Sequence, residues 1–142
     1  MNASPLPAAP GEAPRACAAG TRFKLMTYNV HRCIGMDFRH DPERIARVIV
    51  EHDPDIVALQ ELDAHRPRSG RHKQAESIAE VLGMKHHFHP AFQVQDELYG
   101  DALLTHHPME LIKAGELPEA WSVIWNEKRG ALLAKVTCRG HD

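Results

Sequence analysis

The chain lacks most of the features that would mark a secreted, membrane-bound or nucleic-acid-coating protein. Its 142 residues include three cysteines, Cys17, Cys33 and Cys138. They are odd in number, widely spaced and form no CxxC pair, so a disulfide framework is excluded and a reducing, cytoplasmic setting is expected. No apolar run approaches the roughly 18 residues that a membrane span requires. Net charge is −2 and Lys and Arg form no run. A binder driven by electrostatic attraction to nucleic acid would show a basic face, so that class is disfavoured. No GxGxxG or Walker-type loop follows any apolar run, and there is no GxSxG elbow and no HExxH pair; dinucleotide, P-loop, serine-hydrolase and zincin chemistry therefore have no motif here. There is no internal repeat.

The first twenty residues, MNASPLPAAPGEAPRACAAG, have almost no large apolar side chain. Such a segment buries too little surface to offset the entropy of ordering it, so residues 1–20 read as a disordered leader. A signal peptide needs a continuous apolar stretch, which Pro5, Pro7 and Pro10 interrupt. The remaining residues, 21–142, are enough for one domain, and an apolar content of 43% is ordinary for one.

In that domain the pattern is regular. RFKLMTYNV alternates Phe23, Leu25 and, loosely, Thr27 against Lys24, Met26 and Tyr28, which predicts a strand ending near Asn29. Asp41 before Pro42 is an N-cap followed by proline at the first helical position. Ile45, Val48, Ile49 and His52 share a face, so 42–52 is predicted as an amphipathic helix. The run Ile56–Gln60 predicts a second strand buried on both faces. Ala75, Ile78, Ala79 and Leu82 define a second helix, stopped by Gly83. KHHFHPAF, YGDALLTHHP, MELIKAG and RGALLAKVTC read as further strands. The order predicts a layered α/β (α+β) fold.

Asn29 and Glu61 stand at the ends of the first two strands, where layered α/β folds often place ligands. Glu61 has a plain reading, a surface carboxylate just past a strand. Against it stands the apolar run before it: an unpaired buried carboxylate costs several kcal/mol, so Glu61 needs solvent or a cation. Magnesium is held by one or two carboxylates plus waters and phosphate oxygens, so one Glu on a rigid strand end is an adequate protein anchor. Asn29 alone is a common turn residue. His86, His87 and His89 suggest zinc, but on a strand 87 and 89 share a face while 86 points away. His106 and His107 meet the same objection. Cys33 would be a nucleophile only beside a histidine base; otherwise it is a small buried or loop cysteine.

Four blocks, LMTYNVHRCIGMD, RIARVIVEHDPDIVALQELD, YGDALLTHHPM and EKRGALLAKV, resemble the endonuclease/exonuclease/phosphatase family, the DNase I-like metal-dependent phosphohydrolases. The likeness runs from about Phe23 to Val136. It implies a DNase I-like sandwich of two sheets with helices outside, an Mg2+ or Mn2+ cofactor and a phosphoester substrate. It implies that Glu61 binds the metal and that Asn29 helps arrange metal and phosphate. Arg68 is a candidate phosphate contact, against the plainer reading of a solvated loop arginine. Arg129 matches a recurrent arginine. Tyr99, Asp101, Thr105 and His106 lie in a block that departs from the family's usual Gly-Asn-Ala-Leu-Leu-Ser-Arg, and no catalytic role is carried onto them.

The family continues past this point, with a strand bearing a histidine, a GDFN-like segment and a terminal Asp-His pair. Here the sequence ends at VTCRGHD, with His141 and Asp142 in reverse order. The resemblance thus implies roughly the first half of the fold, lacking the nucleophile-orienting Asp and the phosphate-contacting His. Losing a general base or a charge stabiliser costs about 10²–10⁴-fold each, so weak or no hydrolysis is expected of this chain alone. The alternatives are half of a split hydrolase, completed by a C-terminal half or another chain on the exposed sheet face, and a non-enzymatic binding module.

Overall fold

The computed structural model describes residues 22–117 and 128–137. The predicted leader, Cys17, Cys138, His141 and Asp142 lie outside the described residues. Strand β1 (Leu25–Asn29) is followed by helix α1 (Pro42–His52), strand β2 (Ile56–Ala64), helix α2 (Gln74–Leu82), and strands β3 (Lys85–Val94), β4 (Glu97–Thr105), β5 (Met109–Glu116) and β6 (Gly130–Val136). One sheet has the order β1-β2-β4-β3; β5 and β6 form a second, two-stranded sheet. β1 runs parallel to β2, and β2–β4 and β4–β3 are antiparallel.

α1 forms where its capping signals stand. The Asp41 carboxylate accepts the Arg44 N–H at 2.9 Å, and Pro42 occupies the first turn, whose N–H groups have no helical acceptor. Ile45, Ala46 and Ile49 are its buried face, while His52 is exposed and donates to the Val48 carbonyl. α2 buries Gln74, Ala75, Ile78 and Ala79 and ends at Gly83 in a left-handed conformation. Both helices join Val57, Leu59, Ala102 and Leu104 in one core, with Met26, Tyr28 and Phe88 packed against it. The helices therefore cover one face of the larger sheet. The small sheet approaches the opposite side, where Gly130 at the start of β6 lies against His89 and Ala91.

Two sequence expectations are revised. In β1 it is Met26 and Tyr28 that face the core, and Leu25 is 68% exposed. Over Ile56–Gln60, β2 is buried fully on only one face: Val57 and Leu59 are inaccessible while Ile56 and Ala58 are half-buried. Helices cover one side of the sheet, so the second side has less to bury against. Leu25, Ile112 and Leu133 are large exposed apolar side chains among the described residues.

Candidate functional site

β2 does not stop at Gln60. Leu59 pairs with Ala102 and Leu62 with Gly100, so Gln60 and Glu61 together oppose the single residue Asp101. This is a β-bulge, which bends a strand and re-aims a side chain. Glu61 takes φ 63°, in the left-handed region, where a non-glycine residue carries about 1–3 kcal/mol of strain. Beside the bulge Gly100 has no room for a side chain: a Cβ there would collide with the His89 carbonyl oxygen. Glu61 thus sits within a long strand, at its bulge, rather than just beyond a short one.

The bulge presents Glu61 to the end of β1, where Asn29 is paired with Gln60. Asn29 Nδ2 donates to Glu61 Oε1 at 2.7 Å. His31 Nδ1 lies 3.3 Å from Glu61 Oε2, and the His31 N–H donates to Asn29 Oδ1 at 3.0 Å. The Glu61 N–H donates to Asp101 Oδ1 at 3.4 Å. The Asn29 bond holds the Glu61 carboxyl below the usual glutamate range; partial burial opposes it, and bonds from His31 and Tyr99 support it. Asp101 moves the other way. Burial raises it, the Glu61 charge adds to that, and the Glu61 N–H and His89 act against it. The two neighbouring carboxyls are therefore shifted in opposite directions, Glu61 toward its ionised form.

His31, Arg32 and Cys33 follow Asn29 in a short turn with φ of 45°, 59° and 57°. The Arg32 carbonyl accepts from Gln74 Nε2 at 2.7 Å and from His40 Nδ1 at 3.0 Å. Gln74 Oε1 in turn accepts the Asp63 N–H at 2.9 Å. Cys33 is buried, and burial together with Asp63 and Asp41 pushes its thiol up to about 12. A thiol so far from ionisation is no nucleophile.

Arg68 forks onto Asp63 at 2.8 and 2.6 Å and lies over the Tyr99 ring, 5.5 Å from its centroid. Asp63 is fully buried. Two of the five Arg68 N–H donors are thus engaged by Asp63. The Arg129 side chain is exposed, and its carbonyl accepts from the Leu117 N–H. Thr105 is buried and donates to the Asp55 carbonyl at 2.8 Å, a structural role. Among the described residues no group of three or more His, Cys, Asp and Glu side chains is arranged to hold a metal. The structure brings Asn29 and Glu61 together and adds His31, Tyr99 and Asp101. Tyr99 and Asp101 lie in the third block of the resemblance, where no role was carried onto them; nothing in the sequence marks His31, which the left-handed turn brings in.

The sequence from residue 26 to residue 137 matches the Endonuclease/Exonuclease/phosphatase family, and the chain belongs to that family. Among solved structures it is similar to an endonuclease/exonuclease/phosphatase from Beutenbergia cavernae, at 22% identity and a TM-score of 0.64, over 83% of this chain and 35% of that one. It is also similar to a family protein from Leptotrichia buccalis, at 20% identity and a TM-score of 0.62, over 84% of this chain and 51% of that one. The human Nocturnin catalytic domain matches at 18% identity and a TM-score of 0.53, over 83% of this chain and 45% of that one. Each shares the DNase I-like fold, and this chain spans about a third to a half of their lengths. No match is found among curated proteins. Among the described residues no helix is long and apolar enough to cross a membrane.

Proposed function

We propose that this chain carries part of the site of a divalent-metal-dependent phosphoester hydrolase, with Glu61 as the anchor for Mg2+ or Mn2+ and Asn29 as the group that orients it. One observation carries the reading: Glu61 is a carboxylate placed by a bulge and held by hydrogen bonds from Asn29, His31 and Tyr99 that favour its ionised form. A carboxylate has about four lone-pair sites, so these three donors do not fill it. Its side chain is 35% exposed, which leaves a route for a cation. The donor set suits magnesium, a hard cation that binds one or two carboxylates and keeps several waters. It does not suit a closed all-protein cage.

A bound cation would polarise phosphoryl oxygens and offset charge developing on them. The chain's own groups do the positioning. Asn29 Nδ2 fixes one Glu61 oxygen, while Asn29 Oδ1 ties down the backbone of the following turn. Asp101 accepts the Glu61 N–H and so holds the bulge that presents the carboxylate. Arg68 contributes to phosphate binding only through the Nη1 and Nη2 hydrogens that Asp63 does not engage. The substrate is a phosphoester whose alcohol portion the site does not define.

By the resemblance, the nucleophile-orienting Asp and a phosphate-contacting His belong to a C-terminal half or another chain. The 142-residue chain alone is therefore expected to bind Mn2+ and to hydrolyse bis-p-nitrophenyl phosphate at close to background rate. The free, buried Cys33 suits a reducing, cytoplasmic setting. Calorimetric titration with Mn2+ tests the anchor: Glu61→Gln should weaken binding about tenfold or more, and equal affinity in both proteins would remove Glu61 from the site. The exposed Leu25, Ile112 and Leu133 favour a second reading, a non-enzymatic binding module. Size-exclusion chromatography separates the two: a stable monomer with no affinity for Mn2+ would support the module.

A further inference from the structure

We propose that His31 is a positioning residue for the Glu61 carboxylate, carried to it by the left-handed turn; this rests on the reading of Glu61 as a cation anchor. The turn is the unusual feature. Three successive residues with side chains, His31, Arg32 and Cys33, have positive φ, and each costs about 1–2 kcal/mol relative to right-handed backbone. Such strain persists only where the surroundings over-determine it.

Here they do. The Cys33 N–H donates to the Val30 carbonyl at 2.8 Å, and the Cys33 carbonyl accepts from the Asp41 N–H at 2.9 Å. Gln74 and His40 both hold the Arg32 carbonyl. Gln74 also accepts the N–H of Asp63, two residues past Glu61. One side chain, itself buried, therefore links the turn bearing His31 to the strand bearing Glu61.

The chemistry follows from which ring nitrogen carries the proton. Arg32 Nη2 lies 3.0 Å from His31 Nε2. A guanidinium only donates, so His31 Nε2 is an acceptor and the proton of the neutral ring sits on Nδ1. That Nδ1–H faces Glu61 Oε2, which only accepts. Asn29 and His31 thus clamp one oxygen each. Partners that orient a metal-binding group in this way typically account for 10- to 100-fold in metal affinity.

Two measurements on the 142-residue chain test this. The first is the ¹⁵N spectrum of the His31 ring without metal at about pH 8, where an ordinary imidazole is neutral. An Nδ1–H ring that reverts to Nε2–H in Glu61→Ala is expected; an Nε2–H ring in the wild type would overturn the proposal. The second is Mn2+ affinity. His31→Ala should lose about 10- to 100-fold. His31→Asn should stay within about threefold, because Asn tolerates left-handed backbone and places an amide N–H near the Nδ1 position. Wild-type affinity in folded His31→Ala would contradict the proposal. If His31→Ala does not fold, a large loss in His31→Asn would contradict it. Absence of Mn2+ binding in the wild type would sink the reading of Glu61 as an anchor, and the ring spectrum would still decide whether His31 holds the carboxylate.

Discussion

Glu61 and Asp63 lie two residues apart on one strand and have opposite fates. Asp63 is fully buried, and both its oxygens are taken by Arg68. Glu61 is on the bulge, partly exposed, held by an amide and an imidazole that leave it negative. A guanidinium neutralises one carboxylate inside the fold; the other keeps its charge for something outside. The contrast shows that a carboxylate at the end of an apolar run is not informative by itself. What distinguishes the two is the charge of the partner.

The largest effect expected from breaking this contrast is on stability at Asp63. Asp63→Ala leaves Arg68 without its counter-ion and should cost about 3 kcal/mol or more in urea unfolding, whereas Glu61→Gln should change stability by under about 1 kcal/mol. Similar costs at the two positions would erase the distinction. Next is Gln74→Ala, which removes the acceptor of the Asp63 N–H and a donor to the Arg32 carbonyl. A loss of about 1–3 kcal/mol is expected, with changed amide chemical shifts at His31 and Glu61; changes confined to α2 would show that Gln74 does not link the two.

Acid titration gives a smaller effect. The Glu61 carboxyl is lowered in the fold from the ordinary glutamate value of 4.5, so its contribution is present above that value and is lost as pH falls through the folded value. The stability gap between wild type and Glu61→Gln should therefore close in that acidic window; a gap that widens there would be contradictory. Smallest is Asp101→Asn. The Asp101 carboxyl is raised from 3.8, so in its ionised form it works against folding. The substitution should raise the melting temperature slightly at neutral pH, corresponding to under about 0.5 kcal/mol, and the gain should vanish below the ordinary aspartate value.

Much of the fold was legible. Asp41 and Pro42 announce α1, Gly83 ends α2, and the family blocks point to the DNase I-like sandwich. The phase of β1 was not, because Leu25 is as apolar as the Met26 and Tyr28 that face the core. Hydropathy alone cannot tell which side of a strand the helices will cover. The juxtaposition of Asn29 with Glu61 was implied by resemblance, but the continuation of β2 to Ala64 was hidden: the apolar run ends at Gln60, and the ladder resumes only because the bulge absorbs a residue. His31 was hidden for a related reason. Nothing in His-Arg-Cys marks a left-handed turn, since neither glycine nor asparagine is present to favour one. The burial of Asp63 depends on Arg68, five residues away, folding back onto it.

Whether Glu61 anchors a divalent cation is read by adding Mn2+ in small sub-stoichiometric steps to ¹⁵N-labelled chain and recording which amide signals broaden first. Loss is expected at Asn29, His31, Gln60, Glu61 and Asp101, abolished by Glu61→Gln. Broadening centred on His86 and His87, or unchanged by Glu61→Gln, would contradict it.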